Sequence, residues 1–383
     1  MAPGQVRARA GILQGRGVRR RHALGLVASL PGCAVAQTQP APAETLRSIA
    51  RAAGRGFGAA VRADLLGSDA AYAALFAAEA ELLTPEWEAK WVALQPEEGR
   101  FDFSHLNAII TFAQANRQRV RGHALLWQEA IPDWVKAALA EGPDRARGVM
   151  EAHFAGVLGT TRQHIRDWDV VNEPIANPPG ADVPQAGDNP LRETPWFKAL
   201  GPNYIEMAFR TARAQDATLR LTLNEYGIEE STPDAEEKRR RLLALLRRLL
   251  DKGCPLDALG IQAHLQMRKP FDPAPFARFL DQIRAMGLAI LITELDVREP
   301  DTLAEGIPAR DAAVAERVKQ FLDVAVAGGC RTVITWGLTD RNSWLGNEPG
   351  VLRRDGATTR GLPFDEELRR KPMWQAIAGA LRG

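Results

Sequence analysis

Strand-like and helix-like stretches alternate eight times along this chain of 383 residues. The strand-like stretches are short apolar runs, whereas those between them carry apolar residues at helical spacing. Eight such units in succession favour a closed parallel sheet surrounded by helices. The sequence therefore predicts an α/β protein with a single (β/α)₈ TIM barrel. We expect strands at about 57–61, 81–83, 120–127, 165–173, 219–226, 258–265, 289–297 and 332–339, with helices that include 106–115, 145–164, 203–214, 234–252, 273–285 and 310–327.

Two of the predicted strands end in a carboxylate. The strand at 165–173 ends in Asn172 and Glu173, and the next residue, Pro174, cannot donate a further ladder hydrogen bond. The strand at 289–297 carries Glu294 after an apolar run. Barrel enzymes place their chemistry at the carboxyl ends of the strands. We therefore expect Glu173 and Glu294 to face one cleft, with the side chain of Asn172 beside them.

The alternation of side chains along the strands agrees with this prediction. Residues two apart face the same side of a strand, and the inward faces line the barrel. An inward charged group needs a partner, because an unpaired buried charge is costly. In four strands the polar or aromatic residues fall mostly on one of the two faces, and the residues that share this face are His123, Leu125 and Trp127; Asp169, Val171 and Glu173; Gln262 and His264; Ile292, Glu294 and Asp296.

Two carboxylates in one cleft are the groups that glycosidic-bond cleavage requires. One carboxylic acid protonates the leaving oxygen, and in a retaining enzyme a carboxylate nucleophile lies about 5–5.5 Å away. For either glutamate alone, a structural ion pair is the competing interpretation. Two glutamates at two strand ends favour catalysis.

Six motifs carry a family resemblance. The stretches WDVVNEP at 168–174 and ITELDV at 292–297 resemble the two signatures of glycoside hydrolase family 10, which consists largely of endo-1,4-β-xylanases. Four further matches follow the family's order and lie at 85–91, 122–127, 260–265 and 335–337. The resemblance covers roughly 44–381. It implies a retaining endo-1,4-β-xylanase that acts on xylan and xylo-oligosaccharides without a cofactor.

The resemblance also implies roles for individual residues. It makes Glu294 the nucleophile, Glu173 the acid/base, and Asn172 the residue that bonds the 2-hydroxyl of the sugar. The substrate-binding residues that it implies are Glu86, Lys90 and His123 on the non-reducing side, Tyr226 on the leaving-group side, and Trp127, Trp336 and Trp344 around the central subsites.

A set of supporting residues is expected around the nucleophile. The match of the Gln-x-His motif to the family implies that His264 and Asp296 keep Glu294 ionised and oriented. A lone barrel histidine is more often a satisfied core residue, and the family match is what favours a functional role here. Gln262 is expected to donate a hydrogen bond to the same carboxylate.

Two positions depart from the family pattern. Trp87 stands where many members have an asparagine that bonds the sugar, and it is expected either to line the groove or to turn into a helix contact. Glu225 stands where the family often has aspartate, and its role stays open. Among the nine tryptophans, four others are divided between core and cleft interpretations: Trp91, Trp134, Trp196 and Trp374.

Composition excludes several classes of protein. Residues 1–36 hold six arginines and no acidic residue, which leaves 43 basic and 47 acidic residues beyond them. The body is therefore mildly acidic, and we expect no nucleic-acid partner. Six histidines are present without a paired metal-binding spacing, so no catalytic metal is expected. Cys254 and Cys330 are expected to be buried thiols rather than a disulfide, and the protein is expected to be a monomer.

The N-terminal residues have the layout of an export signal. Three arginines at 19–21 precede an apolar run at 23–30 and an Ala-x-Ala site at 34–36. We expect a signal peptide over 1–36, of the twin-arginine type, then a linker over 37–44 and the barrel over 45–383. The protein would be secreted or periplasmic. A lipoprotein modified at Cys33 and a disordered basic arm are the alternatives, and no run is long enough to span a membrane.

Two rival functions stay open at this stage. A related barrel hydrolase could act on β-glucans or on short xylo-oligosaccharides, since a fold does not fix a substrate. A non-catalytic carbohydrate-binding protein is the other rival. The presence of both Glu173 and Glu294 argues against it, because loss of either would have favoured binding without catalysis.

Overall fold

Eight strand positions close into a parallel barrel in the computed structural model, which describes residues 44–181, 189–300 and 306–383. Hydrogen bonds join β1 to β6 in chain order, then β6 to β8, β8 to β9 and β9 back to β1. Strand β7 pairs with β8 beyond the end of β6, so these two share one barrel position. The strands are β1 (Gly56–Val61), β2 (Leu82–Pro85), β3 (Arg119–Gly122), β4 (Ile165–Asn172), β5 (Arg220–Glu225), β6 (Ala258–Ile261), β7 (His264–Gln266), β8 (Ala289–Arg298) and β9 (Thr332–Thr335).

The predicted (β/α)₈ fold is thus confirmed, and helices surround the sheet. The helices of the described residues are α1 (Leu46–Ala52), α2 (Ala63–Ser68), α3 (Ala70–Glu79), α4 (Trp91–Leu94), α5 (Ser104–Ala115), α6 (Asp133–Ala140), α7 (Pro143–Thr161), α8 (Pro195–Leu200), α9 (Tyr204–Gln215), α10 (Pro233–Asp251), α11 (Pro273–Ala285), α12 (Ile307–Ala327) and α13 (Pro372–Arg382). The predicted signal and nearly all of the predicted linker lie outside the described residues.

Burial and capping explain why these elements form. All six residues of β1 are buried, as expected for a parallel strand covered by helices on one side and by barrel side chains on the other. Helix α10 begins where the Thr232 side chain accepts the backbone N–H of Ala235, and Pro233 occupies its first turn. Among the described helices, none is both long enough and apolar enough to cross a bilayer.

Three predicted strands are shorter than the sequence indicated, and the one expected at 332–339 ends at Thr335. The stretch expected at 120–127 forms a strand only as far as Gly122, where a Cβ atom would lie 2.1 Å from the ring of Trp168. The pairing of β3 with β4 shifts register between Val120 and Gly122, and beyond the strand the N–H groups of Leu125 and Leu126 donate to the backbone of β4. The stretch expected at 258–265 is divided into β6 and β7 by Ala263, whose φ is 64°.

Candidate active site

An open cleft of about 1330 Å³ lies at the carboxyl ends of the strands. Twelve of the thirteen site residues predicted from the sequence line it, so the barrel brings them together as expected. They are Glu86, Lys90, His123, Trp127, Asn172, Glu173, Tyr226, Gln262, His264, Glu294, Trp336 and Trp344. Asp296 is the thirteenth, and it is buried behind His264.

Glu173 is presented to the cleft by a turn in the backbone at the end of β4. Its φ is 57°, a left-handed value that is uncommon for a residue other than glycine. Its N–H donates to the Asn224 carbonyl at 2.9 Å, and its carbonyl accepts from Arg192 Nε at 3.0 Å. Adjacent residues of a regular strand face opposite sides, whereas this turn lets both Asn172 and Glu173 line the cleft.

Glu294 is held as an ionised carboxylate near the middle of β8. Its side chain accepts hydrogen bonds from Asn224 Nδ2 at 2.7 Å and from His264 Nε2 at 3.2 Å, and His123 Nδ1 lies 4.0 Å away. Burial opposes ionisation, but electrostatic interaction with His123 and the contacts with His264 outweigh it and hold the pKa of Glu294 below its ordinary value. The carboxylate is therefore suited to act as a nucleophile.

A chain of hydrogen bonds runs behind the nucleophile. His264 Nδ1 lies 2.9 Å from Asp296 Oδ1, and Trp344 Nε1 donates to Asp296 Oδ2 at 2.5 Å. Burial lowers the pKa of His264, but the Asp296 carboxylate and the bond to Glu294 more than compensate and raise it well above its ordinary value. A protonated imidazole donates from both nitrogens. His264 therefore lies between Asp296 and Glu294, in contact with both carboxylates, and its supporting role stays a prediction.

Gln262 contacts a different glutamate from the one predicted. We expected it to donate to Glu294, and this was wrong: its Nε2 donates to Glu173 Oε1 at 3.1 Å and to Asn172 Oδ1 at 3.2 Å. The donor position beside Glu294 is occupied by Asn224. Glu173 Oε1 also lies 3.2 Å from Asn172 Nδ2, so two neutral amides hold the Glu173 carboxyl group.

Asn224 is the residue near the two glutamates that sequence reasoning missed. It is fully buried at the end of β5, and its Nδ2 donates both to Glu294 and to Asn172 Oδ1, at 2.7 and 2.9 Å. It therefore links the surroundings of Glu173 to those of Glu294. A local signal existed, because Asn224 precedes Glu225 at a strand end just as Asn172 precedes Glu173.

An ion pair below the cleft was also missed. Arg121 is fully buried and donates to both oxygens of Asp169 at 2.5 Å. Asp169 Oδ2 lies 2.8 Å from His123 Nδ1 as well, which orients the imidazole towards the cleft. Asp169 was predicted to face the inside of the barrel. Its partner Arg121 lies two residues before His123, at the same alternation, but no role was predicted for it.

Aromatic rings and one buried cation form the wall on the side of Glu86. Lys90 Nζ lies 4.4 Å from the ring centroid of Trp127, 5.2 Å from that of Trp87 and 6.0 Å from that of Trp336. Burial lowers the pKa of Lys90, although Glu294 and Glu86 oppose the shift, and burial raises the pKa of Glu86 to about 7. Cation–π contacts of this kind fix the ammonium group beside flat apolar surfaces.

Tyr226 forms the opposite wall, next to the backbone of Glu173. Its hydroxyl accepts hydrogen bonds from Asn177 Nδ2 at 2.7 Å and from Arg192 Nη2 at 3.0 Å. The Nζ atom of Lys238 lies 3.5 Å from the ring centroid and covers one face. Glu225 is fully buried and pairs with Lys238 at 3.0 Å.

The tryptophans divide between the two interpretations left open. Trp87 is 52% exposed and lines the cleft, which excludes the core alternative. Trp91, Trp196 and Trp374 are at most 3% exposed and belong to the core. Trp134 packs against the core and donates its Nε1 hydrogen to the Gln95 carbonyl at 3.1 Å.

The cysteines and possible metal ligands add no further chemistry. Cys254 and Cys330 are buried free thiols, as predicted, and burial raises their pKa values to about 12 and about 11. A thiol is unreactive when its pKa lies this high. Within the part of the chain that the structure describes, no group of three or more His, Cys, Asp or Glu side chains is arranged to hold a metal ion.

Comparisons with known proteins point to one family. The sequence model described as glycosyl hydrolase family 10 matches residues 45–380. Endo-1,4-beta-xylanase C from Paenibacillus barcinonensis is 32% identical over 331 residues, which are 78% of this chain but 28% of that protein. Endo-1,4-beta-xylanase B from Thermotoga neapolitana is 29% identical over 300 residues, 78% of this chain and 80% of that protein.

A solved structure agrees with the sequence comparisons. Xylanase 10B from Thermotoga petrophila RKU-1, crystallised in complex with xylobiose, is 29% identical and superposes with a TM-score of 0.79. The match covers 90% of this chain and 98% of that structure. The similarity therefore extends over nearly the whole barrel.

Proposed function

Because this chain belongs to glycosyl hydrolase family 10, we propose that it is a retaining endo-1,4-β-xylanase that cleaves internal bonds of xylan. The observation that carries the proposal is the pairing of two different carboxyl groups in one cleft. Glu294 is buried and ionised between Asn224 and His264, whereas Glu173 accepts hydrogen bonds from the neutral amides of Asn172 and Gln262. We propose further that the enzyme acts as a monomer, since a single chain supplies all of these groups.

In the first step, Glu294 attacks the anomeric carbon as Glu173 gives its proton to the leaving oxygen. The glycosidic bond breaks, and an ester bond forms between the sugar and Glu294. The hydrogen bonds from Asn224 and His264 keep the attacking carboxylate in place at 2.7 and 3.2 Å. Asn172, which lies beside Glu173 at the end of β4, is placed to bond the 2-hydroxyl of that sugar, a contact that strengthens in the transition state.

In the second step, Glu173 acts as a base. It removes a proton from a water molecule that attacks the anomeric carbon, and the bond to Glu294 breaks. Two displacements at one carbon restore its original configuration, so the product is the β-anomer. The amides of Asn172 and Gln262 can serve the carboxyl group in both protonation states, because each amide carries a donor and an acceptor.

The position of Glu173 assigns the two ends of the cleft. The acid must reach the leaving oxygen, so the leaving-group side lies towards Tyr226, which Arg192 links to the Glu173 backbone. The opposite end, with Glu86, Lys90 and Trp127, then receives the sugars on the non-reducing side. A cleft with lining residues on both sides of the two glutamates is suited to an internal segment of a polysaccharide.

The test is a comparison of substrates. We expect the enzyme to hydrolyse xylan, to show little activity on carboxymethyl-cellulose and to turn over an aryl xylobioside more slowly. A preference for carboxymethyl-cellulose would identify a β-glucanase. Activity confined to the short glycoside would identify an oligosaccharide hydrolase, and binding without hydrolysis would identify a carbohydrate-binding protein.

Trp87→Asn is expected to change the Michaelis constant for short xylo-oligosaccharides several-fold and to leave kcat nearly constant. The substitution removes an aromatic face, which contributes about 0.5–1.5 kcal/mol on a sugar, and can add a hydrogen bond of similar strength, so the net change in affinity is no more than several-fold. Trp87 is exposed in the cleft wall and would contact a bound sugar through its ring, so we expect it to affect the ground state and the transition state alike. Steady-state kinetics on oligosaccharides of increasing length measures this, with Trp134→Phe as a control outside the cleft lining. A change in kcat alone would contradict it.

We propose export through the signal over 1–36, with a mature chain that starts at or near Gln37. The support is the order of the three elements: adjacent arginines, an apolar run, and the Ala-x-Ala site ending at Ala36. N-terminal sequencing of the exported protein is the measurement, and lysine in place of Arg20 and Arg21 is expected to block a twin-arginine route. A mature chain that begins at lipid-modified Cys33 would establish the lipoprotein instead.

A further inference from the structure

A buried carboxylate outside the cleft contacts the backbone between the two catalytic neighbourhoods. Glu229 lies in the loop after β5, is 1% exposed, and does not line the cleft. Its Oε1 accepts the backbone N–H of Ala263 at 2.9 Å, and its Oε2 accepts that of Ile228 at 2.7 Å. The mechanism above gives this group no part, so its burial needs an explanation.

Ala263 occupies an unusual position in the sheet. Its φ of 64° is left-handed, a conformation that costs alanine energy and that glycine adopts freely. It interrupts the strand position that β6 and β7 share, and the pairing with β8 shifts there: Ile261 pairs with Ile292, whereas His264 pairs with Asp296. Ala263 itself is fully buried. In this conformation the backbone N–H of Ala263 donates a hydrogen bond to Glu229.

The two neighbours of Ala263 contact the two catalytic glutamates. Gln262 Nε2 lies 3.1 Å from Glu173 Oε1, and His264 Nε2 lies 3.2 Å from Glu294 Oε2. A rotation of the backbone at Ala263 would therefore move both side chains at once. A shift of about 1 Å in a catalytic neighbourhood can lower the rate by roughly 10².

We propose that Glu229 is a positioning residue, which holds the left-handed turn at Ala263 so that Gln262 and His264 meet the acid/base and the nucleophile. The inference rests on the proposed function, because it takes the roles of Glu173 and Glu294 from it. Burial and the neighbouring carboxylate of Glu230 raise the pKa of Glu229. A neutral side chain of the same shape can therefore replace it, provided that it still accepts the Ala263 hydrogen.

Two variants of nearly equal size separate this role from simple space filling. Glu229→Gln keeps an oxygen for the Ala263 N–H, whereas Glu229→Met fills the same volume with no comparable acceptor. We expect the glutamine variant to keep kcat within about threefold, and the methionine variant to lose roughly 10- to 100-fold, with the Michaelis constant for xylotetraose changed less than about threefold. Glutamine rescue of this kind is not expected of a side chain that only fills space.

Two further measurements report on the two neighbours separately. The dependence of rate on leaving-group quality reports on Glu173, and the rate of inactivation by a 2-fluoro xylobioside reports on Glu294. In Glu229→Met the rate should depend more steeply on the leaving group, and inactivation should be slower. Glu79→Met is the matched control, because Glu79 is also a buried carboxylate that accepts a backbone N–H, at 2.7 Å from Leu46, but lies outside the cleft. It should lower Tm and leave kcat unchanged.

A second substitution at the turn completes the test. Glycine adopts a φ near 64° without strain, so Glu229→Met combined with Ala263→Gly should recover most of the lost kcat, or restore folding if the single variant does not fold. Equal kinetics in Glu229→Gln and Glu229→Met, or a folded glutamine variant that loses more than tenfold in kcat, would overturn the positioning role. A wild-type enzyme that fails to hydrolyse xylan would instead refute the proposed function.

Discussion

Glu294→Ala is expected to lower kcat on xylan by roughly 10⁴-fold or more, because the variant has no group that can form the covalent intermediate. The structure concentrates positive and hydrogen-bonding groups on this one carboxylate. Asn224, His264 and the more distant His123 all face it, and burial removes the water that would otherwise solvate it. No other carboxylate among the described residues has this set of partners.

Three controls make that result specific. Glu294→Gln keeps the shape of the side chain and should be equally inactive, which separates lost chemistry from lost packing. Glu97→Ala removes an exposed glutamate that pairs with Arg100 on the surface and should leave kcat unchanged. Azide added to Glu294→Ala should yield the α-glycosyl azide, because the small anion attacks from the face that the nucleophile has vacated.

The assignment of Glu294 as the nucleophile also predicts two results for the wild-type enzyme. A 2-fluoro xylobioside with a good leaving group should label Glu294, because deglycosylation is slowed and the ester accumulates. Proton NMR of the first product should show the β-anomer. Labelling of a different residue would refute the nucleophile, and an initial α-product would establish an inverting mechanism.

The end of β4 could be predicted because it is encoded locally, since Pro174 removes the next backbone donor. Strand β8 instead continues past Glu294 as far as Arg298, although the apolar run before Glu294 marked the position of the carboxylate. Glu173 and Glu294 therefore stand out without any knowledge of the fold. Once eight such strands close into a barrel, their carboxyl ends meet on one face, and the cleft follows.

The choice between two similar strand ends could not be read locally. Asn172–Glu173 ends β4 and Asn224–Glu225 ends β5, yet only Glu173 reaches the cleft lining. Glu225 turns to the buried ammonium of Lys238 on α10, 3.0 Å away. The asparagines differ too, since Asn224 supports the nucleophile from below. Contacts with residues on other helices and strands determine these side-chain orientations. The spacing of residues along a single strand therefore cannot predict them.

The error over Gln262 has a backbone cause. Strict alternation along a strand places Gln262 and His264 on one face, so both were expected to contact Glu294. The sequence does not indicate that the residue between them, Ala263, adopts a left-handed φ. The turn at Ala263 divides the pair, so that Gln262 contacts Glu173 while His264 contacts Glu294.

Glu173→Ala is expected to lower activity on xylan roughly 10²- to 10⁴-fold, and far less on an aryl glycoside with a good leaving group. The sugar oxygen of xylan is a poor leaving group and needs a proton as the bond breaks. A nitrophenolate does not, so its release should survive the loss of the acid. Glu173→Gln is the matched variant, because it keeps contacts for the amides of Asn172 and Gln262 while removing the transferable proton.

The second half of the reaction gives an independent test of the same residue. Without Glu173 no base activates the attacking water, so the glycosyl ester on Glu294 should accumulate when the leaving group is good, and a burst of aryl alcohol should precede slow turnover. Azide needs no base, and it attacks from the side on which Glu173 stood. Added azide should therefore speed turnover of the aryl glycoside and release the β-glycosyl azide. Equal losses on both substrates, with no effect of azide, would show that Glu173 acts through structure rather than through proton transfer.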